Sequence, residues 1–136
     1  MAEVLIKVCK VSGGGRMVYG WGSVCKVRQG DQFIQYRDTD DEEFPEDVTE
    51  AGWRDFMRGE RVLDAMHDGE PVGRVLYAFP MIEEVAKAFG LADALEQTGV
   101  IVGAEIDDPA IAAGFESGEI TGFSIDGMAN YQEIDE

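Results

Sequence analysis

Asp68-Gly69 stands between two apolar runs, Arg61–His67 and Pro71–Phe79. Glycine reaches the positive φ that tight hairpin turns require, so an Asp-Gly pair there is a strong turn signal. The pattern predicts two antiparallel strands joined around Asp68-Gly69-Glu70. It also places His67, the one histidine of the chain, at a strand end beside the turn.

The remaining chain continues in short runs. Val4, Leu5, Ile6, Val8 and Val11 predict a first strand, and Ser12-Gly13-Gly14-Gly15 a turn after it. Met17–Val27 reads as a second strand whose internal Gly20 and Gly22 suggest a bulge or a close backbone approach. Gln32–Tyr36, Gly99–Ile106, Ile120–Ile125 and Met128–Ile134 read as further strands. Val48, Trp53, Phe56 and Met57 give Pro45–Arg58 one apolar side, with Gly59 as its stop. Met81, Ile82, Val85 and Phe89 do the same for Pro80–Phe89, ahead of Gly90, and Leu91–Gln97 offers another turn or two. Asp107-Asp108-Pro109 opens a short helix through Phe115, an N-cap followed by proline in the first turn.

About seven strands and three or four helices of uneven spacing do not make the regular alternation of a doubly wound sheet. The expected fold is mainly β with flanking helices (α+β), a small closed or partly open β-barrel surrounded by those helices. At 136 residues, with no repeat or linker, residues 1–136 read as a single domain.

The 28 acidic and 11 basic residues leave a net charge of −17, which excludes nucleic acid and anionic membrane as partners. The imbalance is uneven: Lys87 is the last basic residue, and Ala88–Glu136 holds 11 acids. Asp38–Asp47 packs seven acids into ten residues. It has alternating acids like a calcium loop, but Glu43 stands where that loop needs glycine and no bidentate Glu follows near the twelfth position. A solvated loop feeding the helix at Pro45 is the better reading.

Cys9 and Cys25 are too few for a disulfide framework, and with His67 too few for a structural zinc site, so neither metal nor cofactor is expected. Lys7 and Lys10 interrupt any leader-like apolar stretch, and no run approaches the length of a membrane span. A reduced cytoplasmic protein with both thiols buried is the expectation. Cys9 or Cys25 acting as a nucleophile is the weakest functional reading, since an apolar strand raises a thiol pKa.

At neutral pH His67 is the narrow choice of general base, although a histidine near a turn is more often an idle surface residue. Ser124 lies in Gly122-Phe123-Ser124-Ile125-Asp126-Gly127, inside a strand pattern and flanked by glycines. It is either a small residue on a polar strand face or a nucleophile whose glycines let a substrate backbone approach. The stretch is not a strand-to-helix nucleophile elbow, because the second glycine is out of place.

Taken together, Tyr19-Gly20-Trp21-Gly22, Met66-His67-Asp68-Gly69 followed by Val72-Gly73, the Gly90 helix end, Gly99-Val100-Ile101-Val102-Gly103, and Ser117-Gly118-Glu119 leading into Thr121-Gly122-Phe123-Ser124 resemble the XkdF-type phage serine proteases. These belong with the phage prohead (capsid-maturation) proteases and, more distantly, the herpesvirus assemblins. The resemblance spans most of the chain, from about Val18 to Gly127. It implies a small β-barrel flanked by helices, with a Ser/His pair on neighbouring strands. It also implies an endopeptidase that cleaves phage scaffold and capsid proteins inside the assembling prohead, in the cytoplasm of the bacterial host. A homo-oligomer, as in the dimeric assemblins, is expected with it.

Carried over, Ser124 is the nucleophile and His67 its base. The relatives hold that base with a third residue on the strand after the nucleophile. Here Glu133 is preferred and Asp126 is the alternative, with Asp64 and Asp68 as local candidates. Assemblin-like enzymes carry arginine after the nucleophile, and this chain has no basic residue beyond Lys87. Arg54, Arg58, Arg61 and Arg74 are the basic residues left to offset the negative field around Ser124, if the fold brings one there. Some relatives cut after glutamate in an Ile/Leu-x-Glu pattern. Ile134-Asp135-Glu136 fits such a self-processing site, and so does Ile82-Glu83-Glu84.

Overall fold

A computed structural model describes residues 4–38, 41–59, 61–64 and 71–125. Seven strands lie among them: β1 (Val4–Ser12), β2 (Met17–Gln29), β3 (Gln32–Gln35), β4 (Val62–Asp64), β5 (Pro71–Met81), β6 (Gln97–Ile106) and β7 (Gly122–Ile125). Three α-helices accompany them: α1 (Glu46–Met57), α2 (Glu83–Ala88) and α3 (Pro109–Ser117). All strands join one antiparallel sheet in the order β1-β7-β4-β5-β6-β2-β3.

The sheet curls because β1 divides its partners. Val4–Lys7 pairs with β7, and Val8–Ser12 pairs with the first residues of β2. Register shifts in the β1–β2, β2–β6 and β5–β6 ladders add local twist. The curl needs Gly20, where a side-chain carbon would lie 2.4 Å from the Lys7 carbonyl oxygen. Gly22 makes room in the same way for the Trp53 ring. A closed seven-strand barrel is not formed. β3 has four residues, turns back at once through Gly30 and pairs only with Lys26–Gln29 of β2. The architecture is therefore mainly β, α+β, with a curled half-barrel sheet.

Strand β6 supplies the spine of the core. Thr98, Val100, Val102, Ala104 and Ile106 alternate along it, and all are buried. Ile6, Val18, Val75, Phe123 and Ile125 meet this row from the other strands; Trp53 and Phe56 of α1 and Ala112 and Phe115 of α3 complete the cluster. Burying each large side chain stabilises by roughly 1.5–3 kcal/mol. Trp53 also donates its indole N–H to Ser23 Oγ at 2.9 Å, which leaves no unpaired polar atom on that ring.

The local signals for α1 and α3 hold closely. Asp108 caps α3 by accepting from the Ala110 and Ile111 N–H groups, and Gly118 ends it at φ +85°. The expected helix over Pro80–Phe89 is shorter. β5 runs on through Pro80 and Met81, which pair with Val100 and Gly99 of β6, and α2 begins only at Glu83. Burial of Met81 and Ile82 favours this. Proline fits because β4 stops short of it, leaving that side of β5 without a strand to receive an N–H. Leu91–Gln97 gives only a 3-10 turn, Ala92–Ala94.

β4 and β5 pair antiparallel, with Asp64 opposite Pro71. The Asp68-Gly69 turn, His67 and the Met128–Ile134 strand lie outside the described residues. In the acidic loop Arg37 binds Asp41 at 3.1 Å and also Glu43, while the Glu42 N–H donates to Asp38. Among the described residues, no group of three His, Cys, Asp or Glu side chains is placed to hold a metal ion. No described helix is long and apolar enough to cross a membrane.

Candidate active site around Ser124

Helix α3 delivers the chain to β7. After Gly118 the Ile120 N–H returns to the Gly114 carbonyl, and the Thr121 carbonyl accepts from the Val8 N–H. These bonds seat Gly122–Ile125 between β1 and β4. Ser124 is the Cα partner of Leu5 on one side and of Asp64 on the other. Phe123 and Ile125 point into the core, and Phe123 meets Phe115 edge to face at 6.4 Å. Strand alternation sends Ser124 to the opposite face.

That face is closed too: Ser124 is 1% exposed, and its Oγ has no hydrogen-bond partner among the described residues. Leaving a buried hydroxyl unsatisfied costs about 1–3 kcal/mol. A serine on a strand between glycines is legible in the sequence, but its burial is not, because burial depends on how the curled sheet is covered.

His67, Asp68, Asp126 and Glu133 lie outside the described residues. Covalent connection alone ties His67 to the serine's strand pair, since it follows Asp64 by three positions. Three extended residues span at most about 10–11 Å.

The four arginines separate clearly. Arg61 heads β4, beside the serine's strand. It adopts φ +60°, rare for a residue with a side chain, and its carbonyl accepts from the Val75 N–H at 2.8 Å. Its Nε is buried without a partner among the described residues. Arg74 is exposed and stands in register with Val62 and Glu105. Arg54 and Arg58 lie at the C-terminal end of α1, bordering a cleft against Ala78 and Pro80. Pro80 is nine residues along β5 from Pro71, roughly 30 Å of extended strand, so this pair is not placed at Ser124.

The thiols correct one expectation. Cys25 is buried, and burial pushes its thiol up to about 11, against a smaller opposing effect of the Thr49 hydroxyl. Such a thiol is a poor nucleophile at neutral pH. Cys9 is exposed, not buried. It follows core-facing Ile6 and Val8 and so falls, like Lys7, on the outer face, where it is the extra residue of the β1–β2 register shift between Val8 and Lys10.

Comparison of the chain with protein-family models, curated proteins and solved structures finds no match.

Proposed function

We propose that the chain is a serine endopeptidase of the phage prohead-protease type, with Ser124 as nucleophile and His67 as general base. The observation that carries the reading is the Ser124 hydroxyl, buried and without a partner among the described residues, on a strand in register with Asp64, three positions before the sole histidine. Buried polar groups are nearly always paired, and an orphan hydroxyl calls for a role.

In this mechanism His67 takes the Ser124 proton as Oγ attacks the scissile carbonyl carbon. The proton then passes to the departing amine as the peptide bond breaks, and water releases the acyl group by the reverse relay. Glu133 holds the imidazole, with Asp126 as the alternative. Backbone N–H groups stabilise the oxyanion, and Arg61 offers positive charge from the adjoining strand. Scaffold and capsid proteins of an assembling prohead are the substrates, a homo-oligomer the working form and an assemblin-like barrel the finer fold.

A second reading keeps the fold but not the chemistry: a catalytically silent module docking on capsid or scaffold proteins. The near-complete burial of Ser124 favours it. A fluorophosphonate probe with peptide mapping separates the two. The protease reading expects an adduct on Ser124 that disappears in His67→Ala. A folded protein that forms no adduct and leaves scaffold protein uncut supports the silent module instead.

A further inference from the structure

The cleft beside α1 is independent of Ser124. It measures about 350 Å³, within the size range of small-molecule sites. Trp53, Met57, Ala78, Pro80 and Val100 give it apolar walls. Glu50, Arg54 and Arg58 supply its charged groups. Arg54 already forms a forked pair with Glu50, donating from Nε at 3.0 Å and also from Nη2, while Arg58 has no ion-pair partner among the described residues. The charged groups thus carry a net positive charge, in a chain of net −17.

We propose that this cleft binds an organic carboxylate with a short apolar body, the carboxylate meeting Arg58 beside the Glu50-paired Arg54 and the body resting on Trp53, Met57 and Pro80. Each alternative chemistry conflicts with a wall. An organic cation meets two guanidinium groups. A nucleotide or sugar meets five apolar side chains and a Trp53 N–H already spent on Ser23. A neutral apolar ligand fits the walls but leaves the Arg58 guanidinium unused. A carboxylate satisfies both, because guanidinium and carboxylate match as forked, charge-assisted pairs. Helix ends favour arginine in any case, but that does not account for an open apolar cleft behind the two side chains.

The test uses the full chain carrying Trp21→Phe, which leaves Trp53 as the only tryptophan. Octanoate is titrated while Trp53 fluorescence is followed, with octanol and octylamine as matched probes. The expected result is a saturable change with octanoate and at least about tenfold weaker binding of the other two. Arg54→Gln/Arg58→Gln weakens octanoate about tenfold and leaves octanol unchanged. Both arginines are exposed, so the double variant retains the fold. Ala78→Leu, which fills the cleft, abolishes the response. No saturable change at millimolar octanoate, equal binding of octanol, or an unaltered double variant would each overturn the proposal.

Discussion

Asp64 and Ser124 stand opposite one another across the β4–β7 ladder. Directly opposed Cα atoms in antiparallel strands are about 4.5–5.5 Å apart. The pair are 60 positions apart in sequence, and only the sheet brings them together. That register ties the serine's strand to the segment that leads into His67.

Replacing Ser124 with alanine should separate chemistry from stability. The hydroxyl has no partner among the described residues, so Ser124→Ala removes an unpaid desolvation cost. Unfolding free energy should hold or rise by about 1 kcal/mol, while any fluorophosphonate adduct is lost. Thermal unfolding beside the labelling assay checks this. A loss of several degrees in Tm would show that the hydroxyl is bonded in the native state.

Gly15→Ala should be severely destabilising. Gly15 has φ +89°, and an added Cβ would lie 1.8 Å from the Ala112 carbonyl oxygen on α3. Something must move, and α3 is the element that positions β7. A cost above about 3 kcal/mol is expected, seen as a large Tm drop or insoluble expression. Unchanged Tm would show that the turn and α3 pack less closely.

Lys26→Met should flatten the pH profile of stability. Lys26 bonds Glu83 at 2.9 Å and also lies 3.4 Å from Glu46. The ammonium groups of Lys26 and then Lys87 hold the Glu83 carboxyl below its ordinary 4.5. That stabilisation is present above 4.5 and is lost as pH falls through the lowered value. Glu83, with a smaller effect from Glu46, lifts the Lys26 amine above 10.5. Its contribution is present below 10.5 and is lost as pH rises through the raised value. The Tm advantage of the parent over Lys26→Met should therefore peak near neutrality and narrow on both sides. A pH-independent gap would assign the effect to lost packing of the lysine stem.

The two thiols should react at different rates. With a disulfide reagent at about pH 8, exposed Cys9 is expected to react at once and Cys25 only on unfolding. Because burial raises the Cys25 thiol from 9.0 to about 11, its contribution to stability is intact below pH 9.0 and fades as pH rises through about 11. Two fast thiols in the folded protein would contradict this arrangement.

What the sequence determined by itself were the features set by neighbours along the chain. The Asp108-Pro109 cap, the apolar side of α1, the strand over Gly99–Ile106 and the glycines of β2 are short-range signals, and all were legible. The proposed serine-histidine chemistry rests on Ser124 and His67, which the sequence singles out through a family resemblance. Tertiary structure decided the rest. Met81 and Ile82 fit helical spacing as well as burial against a sheet, and β6 chose for them. Cys9 was expected to be buried as free cysteines usually are, but it stands on the outer face of β1 next to core-facing Val8. Arg61 adopts a positive φ with no glycine or asparagine to announce it. β3 pairs only with Lys26–Gln29 of β2, on the edge whose first residues pair with β1. The burial of Ser124, its register with Asp64 and the cleft between α1 and β5 depend on contacts between residues far apart in sequence. Those contacts are settled by how a whole curled sheet packs, which no local pattern encodes.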